Sequence, residues 1–377
     1  MWEVIDSCES LQSLMITRAQ ITLTSWSACW CIYSRLRTLQ LQEVDFWLPN
    51  GENDNITLSM CLLAQEEDNG GTPICSPIIE LGLKDIRLPV EDQLAFLKVS
   101  PHLEAFSWTP RQRDRALIGD TLMEQAQHCP KLVHLDLDIE NDALVSFLNH
   151  KVATIATHRP PEELKVVKMT EPIWGIVQVH FASSLRSLDL SSYHVEGKMI
   201  LSMLTSLPNL ESFSGKTICG KDVFHRQEIA VEPWVCTGLV HLSLGCAIDG
   251  EFSYGERCVA QAEIIERIGS LTRLKTLRMF GHDGINMPGC YRYLNFGLDS
   301  GLDYLKNLKQ LKSIDFSHTP QQLGEREIRW MLSNWPRLEI LTGTLHSRTM
   351  LNESLRTLLA RHGVLQDNRS GRRAYKC

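Results

Sequence analysis

The chain has 377 residues, enough for two compact domains or one extended array. Hydrophobic residues make up 43% and charged residues 22%, which excludes a chain too polar to collapse around a core. A formal net charge of -7 excludes the basic footprint of a nucleic-acid-binding surface as the main function.

The first residues, MWEVIDSCESLQSLMI, lack the basic start, apolar block and small-residue cleavage site of a secretory signal. No apolar run reaches the roughly 18 residues that a bilayer span needs. A cytoplasmic or nuclear protein without a membrane partner is therefore expected. Cys377 ends the sequence, so no prenylation box is expected either. The twelve cysteines form no C-x-x-C, and only Cys29 and Cys31 form a C-x-C. Outside an oxidising compartment most are expected to be small core residues. The sequons at Asn55, Asn352 and Asn368 are expected to be chance matches.

In chain order, one pattern returns twelve times: L-x-x-L-x-L. Its first copies are Leu11, Leu14, Ile16; Leu36, Leu39, Leu41; Ile78, Leu81, Leu83; and Leu103, Phe106, Trp108. The middle copies are Leu132, Leu135, Leu137; Leu164, Val167, Met169; Leu185, Leu188, Leu190; and a degenerate Leu210, Phe213, Gly215. The last are Leu239, Leu242, Leu244; Leu274, Leu277, Met279; Leu311, Ile314, Phe316; and Leu338, Leu341, Gly343. Successive third positions lie 21 to 42 residues apart, the interval of a long, irregular leucine-rich repeat. The x-L-x-L core alternates with period two, as a short half-buried strand does.

The segments between copies carry helical spacing. Leu122, Met123 and Ala126 precede Cys129-Pro130. Met199, Leu201, Met203 and Leu204 precede Leu207-Pro208. Ile264, Ile265 and Ile268 precede Leu271, and Ile328, Met331 and Leu332 precede Trp335-Pro336. Each helix is closed by a proline or a turn ahead of the next strand. Strand, turn, helix and turn, repeated, predict an α/β leucine-rich-repeat solenoid. In that horseshoe the parallel strands line the concave face and the helices the convex face.

The array is expected to cover residues 1–363. Insertions are read at 45–77, with a short helix near Thr57–Ala64, and at 217–233 and 281–300. A final helix is expected over Asn352–Gly363. Residues 364–377 carry Arg369, Arg372, Arg373 and Lys376 and read as a disordered basic tail. Residues 1–16 already look like the end of a return helix and a strand. The chain thus starts without a polar cap, either because that helix is a poor cap or because the gene model is truncated.

No catalytic constellation, cofactor motif or metal-ligand spacing stands out, so the expectation is a binding protein, not an enzyme. The sequence holds no P-loop, H-E-x-x-H or G-x-S-x-G. Gly281-His282-Asp283-Gly284 reads as a turn. His134 and His241 share one place in their repeats, several strands apart, and His318 lies near another strand. Trp108, Trp234 and Trp335 read as core filling. The candidate binding residues project outward from the strands: Gln40, Gln42, Lys84, Asp136, Asp138, Lys168, Asp189, Ser191, Ser243, Arg278, Phe280, Asp315 and Ser317. Their mixed polarity suits a protein partner. Asp136 and Asp138 together read as an acidic spot for a basic partner.

Three stretches carry a family resemblance: Leu302-Asp-Tyr-Leu-Lys-Asn-Leu-Lys-Gln-Leu311, Gly324-Glu-Arg-Glu-Ile-Arg-Trp-Met-Leu-Ser-Asn-Trp-Pro-Arg-Leu338 and Pro233-Trp-Val-Cys-Thr-Gly-Leu239. They resemble the repeats of fungal leucine-rich-repeat proteins of the F-box-like group. In that group an N-terminal F-box docks onto the Skp adaptor of a cullin ubiquitin ligase, and the repeats choose the substrate. The resemblance covers the repeat region only. Residues 1–50 are themselves repeats, without the leucine- and proline-rich three-helix pattern of an F-box. The resemblance implies substrate recognition for a ubiquitin ligase; the alternative is a stand-alone scaffold. A Ran-type GTPase activator fits less well, since it calls for regular repeats and an acidic tail.

Overall fold

The structure, a computed structural model, describes residues 8, 10–22, 35–47, 76–112, 114, 118–191, 195–219, 233–249, 253–280, 291–317, 319 and 321–367. The short helix expected near Thr57–Ala64, the Cys29/Cys31 pair, the glycine-flanked His282-Asp283 and His318 lie outside these residues, as does the tail beyond Asp367. The chain forms two compact units, Met1–Ser184 and Leu185–Cys377.

The first unit contains strands β1 (Ser13–Thr17), β2 (Gln20–Thr22), β3 (Thr38–Gln42), β4 (Asp45–Trp47), β5 (Glu80–Lys84), β6 (Ala105–Thr109), β7 (His134–Leu137) and β8 (Glu163–Val166). Its main sheet is parallel, in the order β1, β3, β5, β6, β7, β8. One strand comes from each repeat. The register sets Leu14, Leu39, Leu81, Phe106, Leu135 and Leu164 side by side. Except at Leu14, that row is sealed from water, as period-two alternation requires of one sheet face. Helices α1 (Val90–Lys98), α2 (Gly119–Ala126), α3 (Asn141–Ala153) and α4 (Glu171–Ile176) return the chain, α4 running on into a π turn, Val177–Phe181. They bury their apolar side with the inward leucines and leave the other sheet face open.

The second unit repeats the plan. It holds β9 (Ser187–Asp189), β10 (Ser212–Cys219), β11 (His241–Asp249), β12 (Thr276–Phe280), β13 (Tyr291–Tyr293), β14 (Ser313–Asp315), β15 (Ile340–Thr342) and β16 (Leu365–Asp367). All pair in parallel with the next along the chain except β13, which runs antiparallel to β11. The returns are α5 (Gly197–Ser206), α6 (Tyr254–Gly269), α7 (Glu325–Asn334) and α8 (Thr349–Arg361). One return is instead made of 3-10 turns at Leu298–Ser300 and Leu302–Asn307. α6 starts on a capping box: Glu256 N–H donates to the Ser253 hydroxyl at 3.3 Å, and Ser253 N–H donates to the Glu256 carboxylate at 2.8 Å. Each unit is therefore a stretch of leucine-rich-repeat solenoid.

Several expectations need correction. In the sixth repeat the strand is Glu163–Val166, so Leu164 and Val166 take the inward places assigned to Val167 and Met169. Buried Pro161 stands in for the first leucine. The insertion read from residue 45 begins with β4, which pairs with β2 in a second, two-stranded sheet. Residues 217–219 belong to β10, and 291–293 form β13. The tail read from 364 opens with a thirteenth repeat strand, β16, hydrogen-bonded along β15. Its inward residue is Gln366, whose Nε2 donates to the Gly343 carbonyl at 2.7 Å.

Buried amides hold the irregular connections. Gln93, 1% exposed, donates to the carbonyls of Leu88 at 2.8 Å and Ile86 at 3.4 Å, and accepts from the Trp108 indole at 2.9 Å. Gln321 accepts from Phe296 N–H at 3.0 Å and donates to the Leu294 carbonyl at 3.0 Å. Asn352, the buried asparagine of one sequon, accepts on its Oδ1 from Leu345 N–H at 3.0 Å and His346 N–H at 3.3 Å. A buried polar group left without its partner costs about 1–3 kcal/mol. Gln93→Leu strands one indole N–H and two carbonyls at once. Urea unfolding of that variant is expected to show a loss of about 3 kcal/mol or more; a loss under about 1 kcal/mol counts against this role.

The cysteines split by depth. Cys129, Cys236 and Cys246 are buried, while Cys8 and Cys258 are exposed. Burial pushes the Cys129 thiol up to about 12 and the Cys236 thiol up to about 11, so both stay protonated and inert. Trp108, Trp234 and Trp335 are all buried, and the Trp335 indole donates to the Leu305 carbonyl at 3.0 Å.

Candidate functional site

The open sheet face carries the candidate residues, because a strand whose leucines point inward must point its intervening residues outward. In the first unit the central row runs Met15, Gln40, Gly82, Ser107, Asp136, Lys165 across six strands. In the second it runs Asp189, Ser214, Ser243, Arg278, Asp315, Thr342, Asp367 across seven. Neighbours in such a row stand about 4.8 Å apart, set by strand spacing.

Most of the outward residues read from the sequence lie where expected. Gln40 and Gln42 are on β3, Lys84 ends β5, Asp136 is on β7, and Ser243, Arg278 and Phe280 are on β11 and β12. Lys168 does not join the row: it is exposed beyond the end of β8, and Lys165 takes its place. The sequence Leu-Lys-Val-Val-Lys-Met offers two overlapping alternations, and the chain uses the earlier one. Asp138 follows β7, its N–H donating to the Trp108 carbonyl at 2.9 Å.

The charges on these faces are matched locally. Lys165 Nζ donates to Asp136 Oδ2 at 2.8 Å, and Ser107 Oγ donates to the same oxygen at 3.3 Å. Asp136 is thereby neutralised by its neighbour, not left as the acidic spot expected of it and Asp138. On the row beside it His134 Nδ1 lies 3.1 Å from Glu163 Oε2. Gln40 Nε2 donates to Glu80 Oε1 at 3.1 Å. In the second unit Arg278 Nε lies 3.3 Å from Asp315 Oδ2. Ser191 and Ser317 sit just past their strands. Asp189 accepts from Ser191 N–H at 2.9 Å; Asp315 accepts from Ser317 N–H at 2.9 Å and from the Ser317 hydroxyl. The repeated Asp-x-Ser thus fixes each aspartate by turning the backbone onto it.

Such faces can offer ordered donors and acceptors of both signs. Among the described residues, no group of three or more His, Cys, Asp or Glu side chains could hold a metal ion. No helix among them is long and apolar enough to cross a membrane.

No protein-family model matches the chain, and no curated protein matches it either. Among solved structures, the complex of Rad7 and Elc1 in yeast is similar over 82% of this chain and 87% of that one, at 14% identity and a TM-score of 0.41. The octameric complex of Latrophilin 3, Unc5D and FLRT2 aligns over 91% of this chain and 87% of that one, at 13% identity and a TM-score of 0.38. A protein from Bacteroides fragilis aligns over 91% of this chain and 68% of that one, at 12% identity and a TM-score of 0.24.

Proposed function

We propose that the chain is a protein-binding module whose open sheet faces recognise a partner, and that it selects substrates for an F-box-type cullin ubiquitin ligase. The observation that supports binding is the pair of unbroken outward rows. Apart from exposed Met15 their residues are half-buried, and their charges of both signs are held in hydrogen bonds and ion pairs, a character that suits specific protein contact better than lipid or nucleic acid. The ligase reading draws on the resemblance at Leu302–Leu311, Gly324–Leu338 and Pro233–Leu239. A cytoplasmic or nuclear location goes with it, with the Skp adaptor and a cullin as partners beside the substrate.

The test is photo-crosslinking of the full chain in cell extract, with the crosslinker placed at Gln40, Ser243 or the helix-side Val259. One partner captured from Gln40 or Ser243 but not from Val259 is the expected result. Arg278→Glu sets a second carboxylate beside Asp315, and it is expected to weaken that capture by about tenfold. Capture from Val259 alone overturns the face assignment. Recovery of the adaptor and cullin in the same eluate favours the ligase reading; one partner without them favours a stand-alone scaffold.

A further inference from the structure

Off the open face, at the strand ends of the first unit, a cleft of about 460 Å³ is walled by three guanidinium and three carboxylate groups. Two rows of side chains build it. The corner row is Arg18, Glu43 and Asp85, one residue past β1, β3 and β5. All three have left-handed backbones, with φ of 51°, 53° and 52°. Their N–H groups donate to the next repeat's Gln42, Lys84 and Thr109 carbonyls at 2.8 to 2.9 Å, which locks the corners into one stack. Two residues further along, Asp45 and Arg87 form the second row, joined by Arg111 from beyond β6.

Neither row balances its own charge. In the corner row Arg18 pairs with Glu43 at 3.0 Å, and the Asp85 carboxylate has no hydrogen bond or ion pair among the described residues. In the second row one carboxylate serves two guanidiniums. Arg87 Nε holds Asp45 at 2.7 Å. Among the described residues Arg111 reaches only Asp45 and the Asp85 carbonyl, each at 3.5 Å, the outer limit of a hydrogen bond. Its guanidinium is nonetheless mostly shielded from water. The corner row therefore holds one carboxylate more than guanidiniums, and the second row one guanidinium more than carboxylates. A ligand of a single sign meets attraction at one row and repulsion at the other. A segment bearing both signs satisfies the two together, and guanidinium forks with spare donors are suited to a carboxylate.

We infer that this cleft binds a mixed-charge peptide segment of the partner, its basic side chain on Asp85 and its acidic side chain on Arg87 and Arg111. This rests on the protein-binding reading and adds a contact separate from the open face.

Three labelled peptides of equal length test it by fluorescence anisotropy with the full chain: one alternating Lys and Asp, one with Asp at every charged position, one with Lys. At low salt the alternating peptide is expected to bind about tenfold more tightly than either other, a preference that high salt erases. Asp85→Asn keeps a residue tolerant of the left-handed corner, and Arg87→Gln keeps the length of an exposed side chain. Each is expected to abolish the preference, whereas Arg326→Gln, at an exposed ion pair in the second unit, leaves it intact. Equal binding of the three peptides, no binding of any, or a preference that survives both substitutions overturns the inference. Crosslinks from Gln40 or Ser243 alongside any of these results leave the open-face reading standing.

Discussion

Replacing Lys151 with methionine is expected to raise the stability of the first unit at neutral pH by about 2 kcal/mol. Lys151 lies in the last turn of α3 with 2% of its surface exposed. Its only hydrogen bond among the described residues runs from Nζ to the Leu132 carbonyl at 3.3 Å. Among those residues no carboxylate pairs with it. Burial therefore pulls its pKa from 10.5 down to about 8. That difference corresponds to about 3 kcal/mol of destabilisation when the amine is charged. Methionine has a similar shape and no charge, and it gives up one long hydrogen bond worth about 1 kcal/mol. The pH dependence follows from proton linkage. From about 8 to 10.5 the unfolded chain keeps its proton while the folded chain has released it. Wild-type stability therefore rises across that window, and the full penalty is felt below it. Urea titrations at several pH values should show the advantage of Lys151→Met shrinking as pH climbs through the window. An advantage independent of pH, or a loss at neutral pH, rules out this account.

Gly343→Ala should be among the most damaging single-methyl additions in the second unit, costing about 3–4 kcal/mol. Gly343 follows β15 with φ of +118°, where a side chain is strained whatever the space. A Cβ there would stand 2.7 Å from the Phe316 ring and 2.9 and 3.0 Å from the Phe316 backbone carbon and oxygen, atoms that cannot swing aside. Gly343 also bonds β16 from both its groups: its N–H donates to the Asp367 carbonyl at 3.0 Å and its carbonyl accepts from Gln366. Hydrogen exchange should quicken at β15 and β16 before it does at β11 and β12. Gly363→Ala is the control. Gly363 has φ of +76° but nothing within 4 Å of an added Cβ, so only the backbone cost of about 1–2 kcal/mol applies. Equal losses in the two variants would remove steric crowding from the explanation.

The inward leucines were legible because their alternation is a direct consequence of strand geometry: the second position falls in register in eleven of the twelve copies, although β10 bulges past Ser214 before the third position of the eighth. The sixth was misplaced because Leu164 to Met169 contains two valid alternations: Leu164 fits the first position of the later one, whereas the chain uses the earlier one with Pro161 in that position. β16 was missed because its inward residue is Gln366, whose burial depends on a carbonyl that no sequence pattern displays. Gln93 and Gln321 were invisible for the same reason: their partners are backbone groups of connections with no period. Two copies carry glycine in the third position, and Gly215 made its copy read as degenerate. In the fold, aromatic carbon fills their place. At Gly215 a Cβ would lie 2.6 Å from the Phe213 ring, and at Gly343 the neighbour is Phe316. Of the site, the outward row could be read from alternation alone. The charged cleft could not, since it forms where Arg18, Asp45, Asp85 and Arg111 come together from four repeats.

The principal strands of each unit join their sheet in the order in which they occur in the chain. Construction can therefore keep pace with synthesis: each finished strand is the template for the next, and none waits for a partner from the far end of its unit. Closing the longest interval between repeats, 42 residues, costs only about 0.5 kcal/mol more than closing the shortest, 24 from Val166 to Leu190. Assembly strand by strand also limits how much unpaired sheet edge a half-made unit exposes, so the growing chain offers other chains little to aggregate on.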